Sequence, residues 1–437
     1  KSDVRIHIKH HYKSKTYTCG SRLEGNVVIT TTKDVAFDTV EILLIGSSRT
    51  RTEGYSTPHE SVHTFLKLSM PVDTASYPTS RVLEAGQASA IPFHFVIPDF
   101  LTLSACHHKV DSDHVRNHHL CLPPSMGWWA RENWEKDDLA PHMAEVEYSI
   151  KARVVARPDA SGRRPKLMEG AKAIQVLPVF AEEAPLNIGS RDSLYRMAKS
   201  KTLRKGLISG KLGKLTVSGQ QPRAIMLRPD GRVANDAMAQ LDLRFEPASG
   251  DAQPPKVTGV SAKITAHTYY SASAINDIPN TGDWMRAGTT DRRGVYSTSV
   301  ALRTPNLTNA PWGSHRVRRD SGYGSEPSPT SSVSCSSDEC DDAEASRPLN
   351  AQRRRRSSGT LANLLHQKTA ATPTAVTLYH MAAIQLPIDL PTDKRTFVPS
   401  FHSCIVSRIY TLHVTVRVDA GTNTTLSLDL PLQIGVE

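Results

Sequence analysis

"FHSCIVSRIYTLHVTVRV", residues Phe401–Val418, is the stretch that decides the fold. From Tyr410 onward, Tyr410, Leu412, Val414, Val416 and Val418 alternate with Thr411, His413, Thr415 and Arg417. Successive side chains leave a pleated strand on opposite sides, so period-two alternation marks a strand with one buried and one wet face. After the turn-rich "DAGTNTT", Leu426, Leu428, Leu430, Leu432 and Ile434 repeat the pattern. The two runs predict a long hairpin. Arg408 is the odd residue. It stands on the apolar register, where burial calls for a carboxylate partner.

The same signature recurs along the chain. Val4, Ile6 and Ile8 alternate with charged residues, Val40, Ile42 and Leu44 follow, and Val146, Tyr148, Ile150, Ala152 and Val154 alternate with Glu147, Ser149, Lys151 and Arg153. Further on, "KLTVSG", "MAQLDLRFEP", "VTGVSAKITAHTYYS" and "GVYSTSVAL" read as strands. Many short strands between turn-rich segments predict an all-β chain of two tandem immunoglobulin-like β-sandwich domains. The expected organisation is an N-terminal sandwich over 1–182, a linker over 183–205 and a C-terminal sandwich over 206–437. No helix beyond a turn or two in the linker is expected. Residues 311–370 are rich in Ser, Arg and Asp ("RRDSGYGSEPSPTSSVSCSSDECDD", "RRRRSSGT") and are expected to be a disordered insertion within the second domain.

At 437 residues the chain is long enough for two or three separate cores. No apolar run approaches the length of a membrane span, and no signal-peptide pattern opens the chain at Lys1, which is expected to be a fragment of a longer polypeptide. Six cysteines (Cys19, Cys106, Cys121, Cys335, Cys340, Cys404) lie scattered without a framework, which points to a reducing, intracellular compartment. The net charge of +10 fits contact with an anionic surface without singling out nucleic acid over lipid or phosphoprotein.

Three motifs invite a catalytic or metal reading. "HESVH", His59 to His63, matches the zinc-protease pattern, but that chemistry needs a helix to put both histidines on one face. Pro58 precedes the motif and "TFLKLSMP" follows it, and on a strand the two histidines stand about 13 Å apart. "CHHKVDSDHVRNHHLC" gathers Cys106, His107, His108, His114, His118, His119 and Cys121 within reach of one zinc, yet its spacing fits no common zinc template. "GLISGKLGKL" is one residue short of a phosphate loop and has Leu212 where Ser or Thr is needed. The expectation is a chain with no catalytic residues, no cofactor and no metal.

"HTFLKLSMPV", "IPFHFVIPDFL", "HHLCLPPSMG", "KTLRKGLISGKLGKLTVS" and "FVPSFHSCIVSRIYTLHVTVRV", taken together and in this order, resemble the fungal arrestin-like proteins of the α-arrestin type. The resemblance runs from Val4 to Val436, apart from the insertion. It implies arrestin N- and C-domains and a non-catalytic adaptor that recognises membrane transporters or receptors. Such an adaptor recruits a HECT-type ubiquitin ligase, so that the cargo is ubiquitylated and internalised, and it works in the cytoplasm, peripherally recruited to plasma membrane or endosomes. Recruitment in this family commonly uses a P-P-x-Y motif read by WW domains. None is present: "LPPSMG" has Met126 where tyrosine is needed, and "QPPKV" fails likewise.

Two further features bear on partners. Lys199, Lys201, Arg204, Lys205, Lys211 and Lys214 form a basic run that suits an anionic membrane or a phosphoprotein, the alternative to a ubiquitin-ligase role. A solvated charged face explains the same residues. In the insertion, Ser321, Ser357 and Ser358 have arginine three residues upstream, Ser336 is followed by Ser337, Asp338 and Glu339, and Ser328 precedes proline. These are phosphorylation candidates, with a 14-3-3 protein as the implied reader. No nucleic-acid partner is expected.

Overall fold

The computed structural model describes residues 2–53, 57–127, 136–189, 192–205, 210–279, 284, 292–304, 310–318 and 376–437. In the N-terminal half, strands Asp3–Ile8, Arg22–Thr30 and Ala88–Val96 form an antiparallel sheet. A five-stranded sheet runs in the order Thr16–Tyr17, Lys166–Val176, Ala144–Val155, Thr39–Thr52, His59–Met70. The alternating apolar residues of both sheets meet in one core, with Leu23, Val27 and Phe93 from the first and Ile42, Leu44 and Ile150 from the second. Each such side chain contributes about 1.5–3 kcal/mol by leaving water.

The C-terminal half repeats the plan. One sheet has the order Ala198–Arg204, Lys211–Gly219, Met238–Pro247, Val376–Pro387, Gly313–Arg318. The other runs Arg293–Ala301, Lys256–Ser271, Val406–Asp419, and the far edge of Val406–Asp419 pairs with both Phe401–His402 and Asn423–Leu432. Leu215, Leu241 and Phe245 of the first sheet share a core with Leu412, Val414 and Leu428 of the second. Ile434–Val436 leaves the hairpin to pair in parallel with Ile225–Leu227. The fold is all-β, two sandwiches in tandem.

The hairpin of the opening stretch forms with Tyr410 opposite Leu432 and Asp419 opposite Asn423. Leu412, Val414, Val416 and Val418 are wholly buried, as their alternation predicts. The first half of the strand departs from that pattern. Val406, Ser407, Arg408, Ile409, Tyr410 and Thr411 are all buried, on both faces. Here the strand leaves the surface of its own sandwich and runs between the two.

Three details differ from the sequence expectation. A seven-residue helix, Asp113–His119, stands in the His-rich stretch, where Ser112 Oγ accepts from the Val115 amide at 3.4 Å and Asp113 lies in the positive first turn. Ala198–Arg204, inside the stretch read as linker, is an edge strand, because its backbone pairs with Lys211–Gly219. Gly313–Arg318, inside the stretch read as a disordered insertion, pairs with Val376–Pro387. Residues 319–370 of that insertion lie outside the described residues.

Candidate functional site

The two sandwiches meet in a junction built from both cores. Phe401–His402 folds back on Ser407 and Arg408, and the turn between them is closed by Ser403, whose amide and Oγ both donate to the Val406 carbonyl, at 2.9 and 2.7 Å. Phe401, Cys404, Ile405 and Val406 from this tip join the core of the N-terminal sandwich. Leu139 and Leu177 go the other way and join the C-terminal core. Polar ties follow the exchange. Thr50 Oγ1 donates to the Ser271 carbonyl at 2.7 Å, Lys136 Nζ to the Thr392 carbonyl at 2.7 Å, and Arg395 pairs with Asp137 at 2.7 Å.

Arg408 lies at the centre of this junction and is fully buried. Its Nε donates to Thr268 Oγ1 at 3.0 Å. Nη1 donates to the Asp138 carbonyl at 3.2 Å and to the Tyr410 hydroxyl at 3.4 Å, and Nη2 lies 3.3 Å from Met126 Sδ. Tyr410 passes the chain on to the Val398 carbonyl at 2.7 Å. Asp138 is the buried acidic residue in the same pocket, but its carboxylate accepts from the Gly127 and Ala140 amides at 2.7 and 3.1 Å. The hydrogen bonds of Arg408 to the N-terminal half therefore go to a backbone carbonyl and a thioether rather than to the carboxylate the sequence led one to expect. Gly127 needs its φ of +105°, and a Cβ there would meet the Ala144 carbonyl.

Beside the tip lies a cluster of soft and borderline ligands. One ligand atom from each of Cys106, His108, His119 and Cys404 lies within 4.8 Å of the other three. Cys106 follows the 3-10 turn Leu103–Ala105, His119 ends the helix, and Cys404 comes from the tip of the C-terminal sandwich's hairpin. Cys106 Sγ is 3.4 Å from His108 Nε2 and 3.6 Å from His119 Nδ1. Burial pushes the His119 imidazole down to about 3, with His108, His118, His63 and Arg116 adding to the effect, so the ring is neutral with a free lone pair. Burial, then the neighbouring Cys106, pushes the Cys404 thiol up.

Not every residue of the His-rich stretch joins the cluster. His114 and His118 face each other, with His118 Nδ1 3.6 Å from Glu183, and Cys121 Sγ donates to the Asn117 carbonyl at 3.4 Å. His59 and His63 of "HESVH" sit on the strand His59–Met70, where His63 Nε2 bonds the Ala105 carbonyl at 2.9 Å. Sequence reasoning missed Cys404, which only the fold brings to Cys106. The visible signal was a cysteine at a turn between two strands.

The basic run divides. All six side chains are exposed. Arg204 stands opposite Lys211 and Thr202 opposite Lys214, next to Lys205. Lys199 and Lys201, opposite Val217 and Leu215, project from the other face at the sheet edge. Ser321, Ser328, Ser336, Ser357 and Ser358 lie outside the described residues. Met126 of "LPPSMG" is fully buried against Arg408, so that stretch is core rather than a peptide ligand.

Two all-β sandwiches in tandem, exchanging core residues around a buried arginine, are consistent with an arrestin-like fold. Residues 325–436 match the family described as Bul1 C terminus. The match includes the strand pairs around Cys404 and Arg408. No curated protein matches the chain.

Proposed function

We propose that the chain is a non-catalytic adaptor that recognises membrane transporters or receptors and brings a HECT-type ubiquitin ligase to them, so that they are ubiquitylated and internalised. The observation that carries this reading is the Bul1 C terminus match over strands that build the junction, since that family is one of trafficking adaptors. Two sandwiches locked together offer a rigid, extended surface, which suits docking better than turnover. Among the described residues no helix is long and apolar enough to cross a membrane, so contact with cargo is peripheral in this reading. With "LPPSMG" buried, the ligase contact falls on no P-P-x-Y motif of these residues.

Regulation belongs to the serine-rich segment. Phosphate on Ser321, Ser357 or Ser358 adds about −1.5 to −2 charge beside arginines and creates a site for a phosphoserine reader such as a 14-3-3 protein. The test is ubiquitylation and internalisation of tagged transporters in cells carrying the full chain, its deletion, or alanine at the three serines. Deletion is expected to leave at least one transporter unmodified at the surface, and the alanine chain to change the rate of uptake. Transporters handled alike with and without the chain would remove the adaptor reading. Uptake indifferent to the serines would remove only the switch.

A further inference from the structure

We infer that Cys106, His108, His119 and Cys404 form a structural zinc site that clamps the hairpin tip of the C-terminal sandwich to the N-terminal sandwich. Two thiolates and two imidazoles are the donor set of a closed, tetrahedral zinc site, and a soft S2N2 set excludes magnesium and calcium. The geometry fits. With Zn–S of about 2.3 Å and Zn–N of about 2.0–2.1 Å, a tetrahedron has edges of about 3.8 Å between sulfurs and about 3.5 Å between sulfur and nitrogen. Cys106 Sγ already stands 3.4 and 3.6 Å from the two imidazole nitrogens. The widest separation in the set does not exceed 4.8 Å, so closure needs side-chain shifts of about 1 Å.

The surroundings are those of a ligand shell. His108 Nδ1 is 2.9 Å from the Lys109 carbonyl, a bond that puts the proton on Nδ1 and leaves the Nε2 lone pair facing Cys106. Arg116 Nη1 donates to the Cys106 carbonyl at 2.9 Å and approaches its Sγ at 3.7 Å, while Nη2 reaches the His108 carbonyl at 3.4 Å. That guanidinium fixes the Cys106–His108 loop and offsets thiolate charge. His63 holds the Ala105 carbonyl from the neighbouring strand. Cys106, His119 and Cys404 are buried and both cysteines are free thiols, so the site is enclosed and available. Binding deprotonates the two thiols, releases two protons to solvent and involves no redox change. The expectation from sequence that no metal is held gives way here, because the fourth ligand comes from the other sandwich. The adaptor reading does not depend on it.

The experiment is metal analysis of the full chain purified with reductant and without chelator. One equivalent of zinc is expected, lost to background in Cys404→Ser and in Cys106→Ser but kept in Cys121→Ser, whose thiol bonds the Asn117 carbonyl outside the cluster. Chelation is expected to lower the melting temperature of the wild type and leave that of Cys404→Ser unchanged. Should the serine variants fold poorly, cobalt loading of the wild type is expected to give tetrahedral thiolate-to-cobalt absorption, displaced by one equivalent of zinc. Three results would overturn the site: zinc retained in Cys404→Ser, a wild type that takes up neither metal, or a Cys106–Cys404 disulfide in thiol-trapped protein from cells.

Discussion

His267 shows how a single side chain reports on the junction. Its ring bridges two strands, with Nδ1 2.7 Å from Ser297 Oγ and Nε2 3.2 Å from Thr411 Oγ1, bonds that a neutral imidazole makes by donating at one nitrogen and accepting at the other. Burial, reinforced by the positive charge of Arg408 and opposed by Asp429, lowers its pKa to about 4. The unfolded value is about 6.5, so between these limits the unfolded chain binds the extra proton. The contribution is fully present above about pH 6.5 and fades as pH falls towards 4, a loss of roughly 3 kcal/mol. His267→Gln keeps a donor and an acceptor but cannot charge. Denaturant unfolding between pH 7 and 4.5 is expected to show a shallower acid loss in the variant than in the wild type. Equal slopes would mean that His267 titrates normally in the folded chain.

At the scale of the element, the strand Ala198–Arg204 tests the basic run. As the edge of its sheet it exposes unpaired backbone, and lysine on such an edge discourages pairing with another chain, which accounts for Lys199 and Lys201 without any ligand. Arg204, Lys205, Lys211 and Lys214 gather at one end of the strand pair and are the better anionic patch. Charge reversal of Arg204, Lys205 and Lys214 is expected to weaken binding to phosphatidylserine vesicles, while reversal of Lys199 and Lys201 has a smaller effect. Both effects should shrink in high salt. Equal losses from the two sets would mean that the pleat does not organise the patch. The charges themselves were legible in the sequence, but their division between faces depended on strand pairing. The same reason separates Leu412–Val418 from Val406–Thr411. A strand with one wet face writes its orientation as alternation, whereas a strand buried on both faces erases it. Cys404 was opaque for a third reason: a ligand supplied by another sandwich has no spacing to read.

At the scale of the molecule, the two sandwiches share core residues, so their stabilities should be coupled. The tip residues Phe401, Ile405 and Val406 pack in the N-terminal core while Leu412, Val414 and Val416 of the same strand pack in the C-terminal one. Loss of order in either core therefore pulls on one continuous backbone. Arg408 is the residue between these two sets, and its donors reach Asp138 and Met126 on one side and Thr268 and Tyr410 on the other. Arg408→Ala removes the donor that the Thr268 hydroxyl and the Asp138 carbonyl share and opens a cavity, and a buried acceptor that loses its donor costs about 1–3 kcal/mol. Because that cost falls on both sandwiches, hydrogen exchange in the variant is expected to speed up in the N-terminal strand Ala144–Val155 as well as in the C-terminal strand Asn423–Leu432. Faster exchange confined to the C-terminal strand would show that the sandwiches open independently and that the exchanged core residues are contacts rather than a shared core.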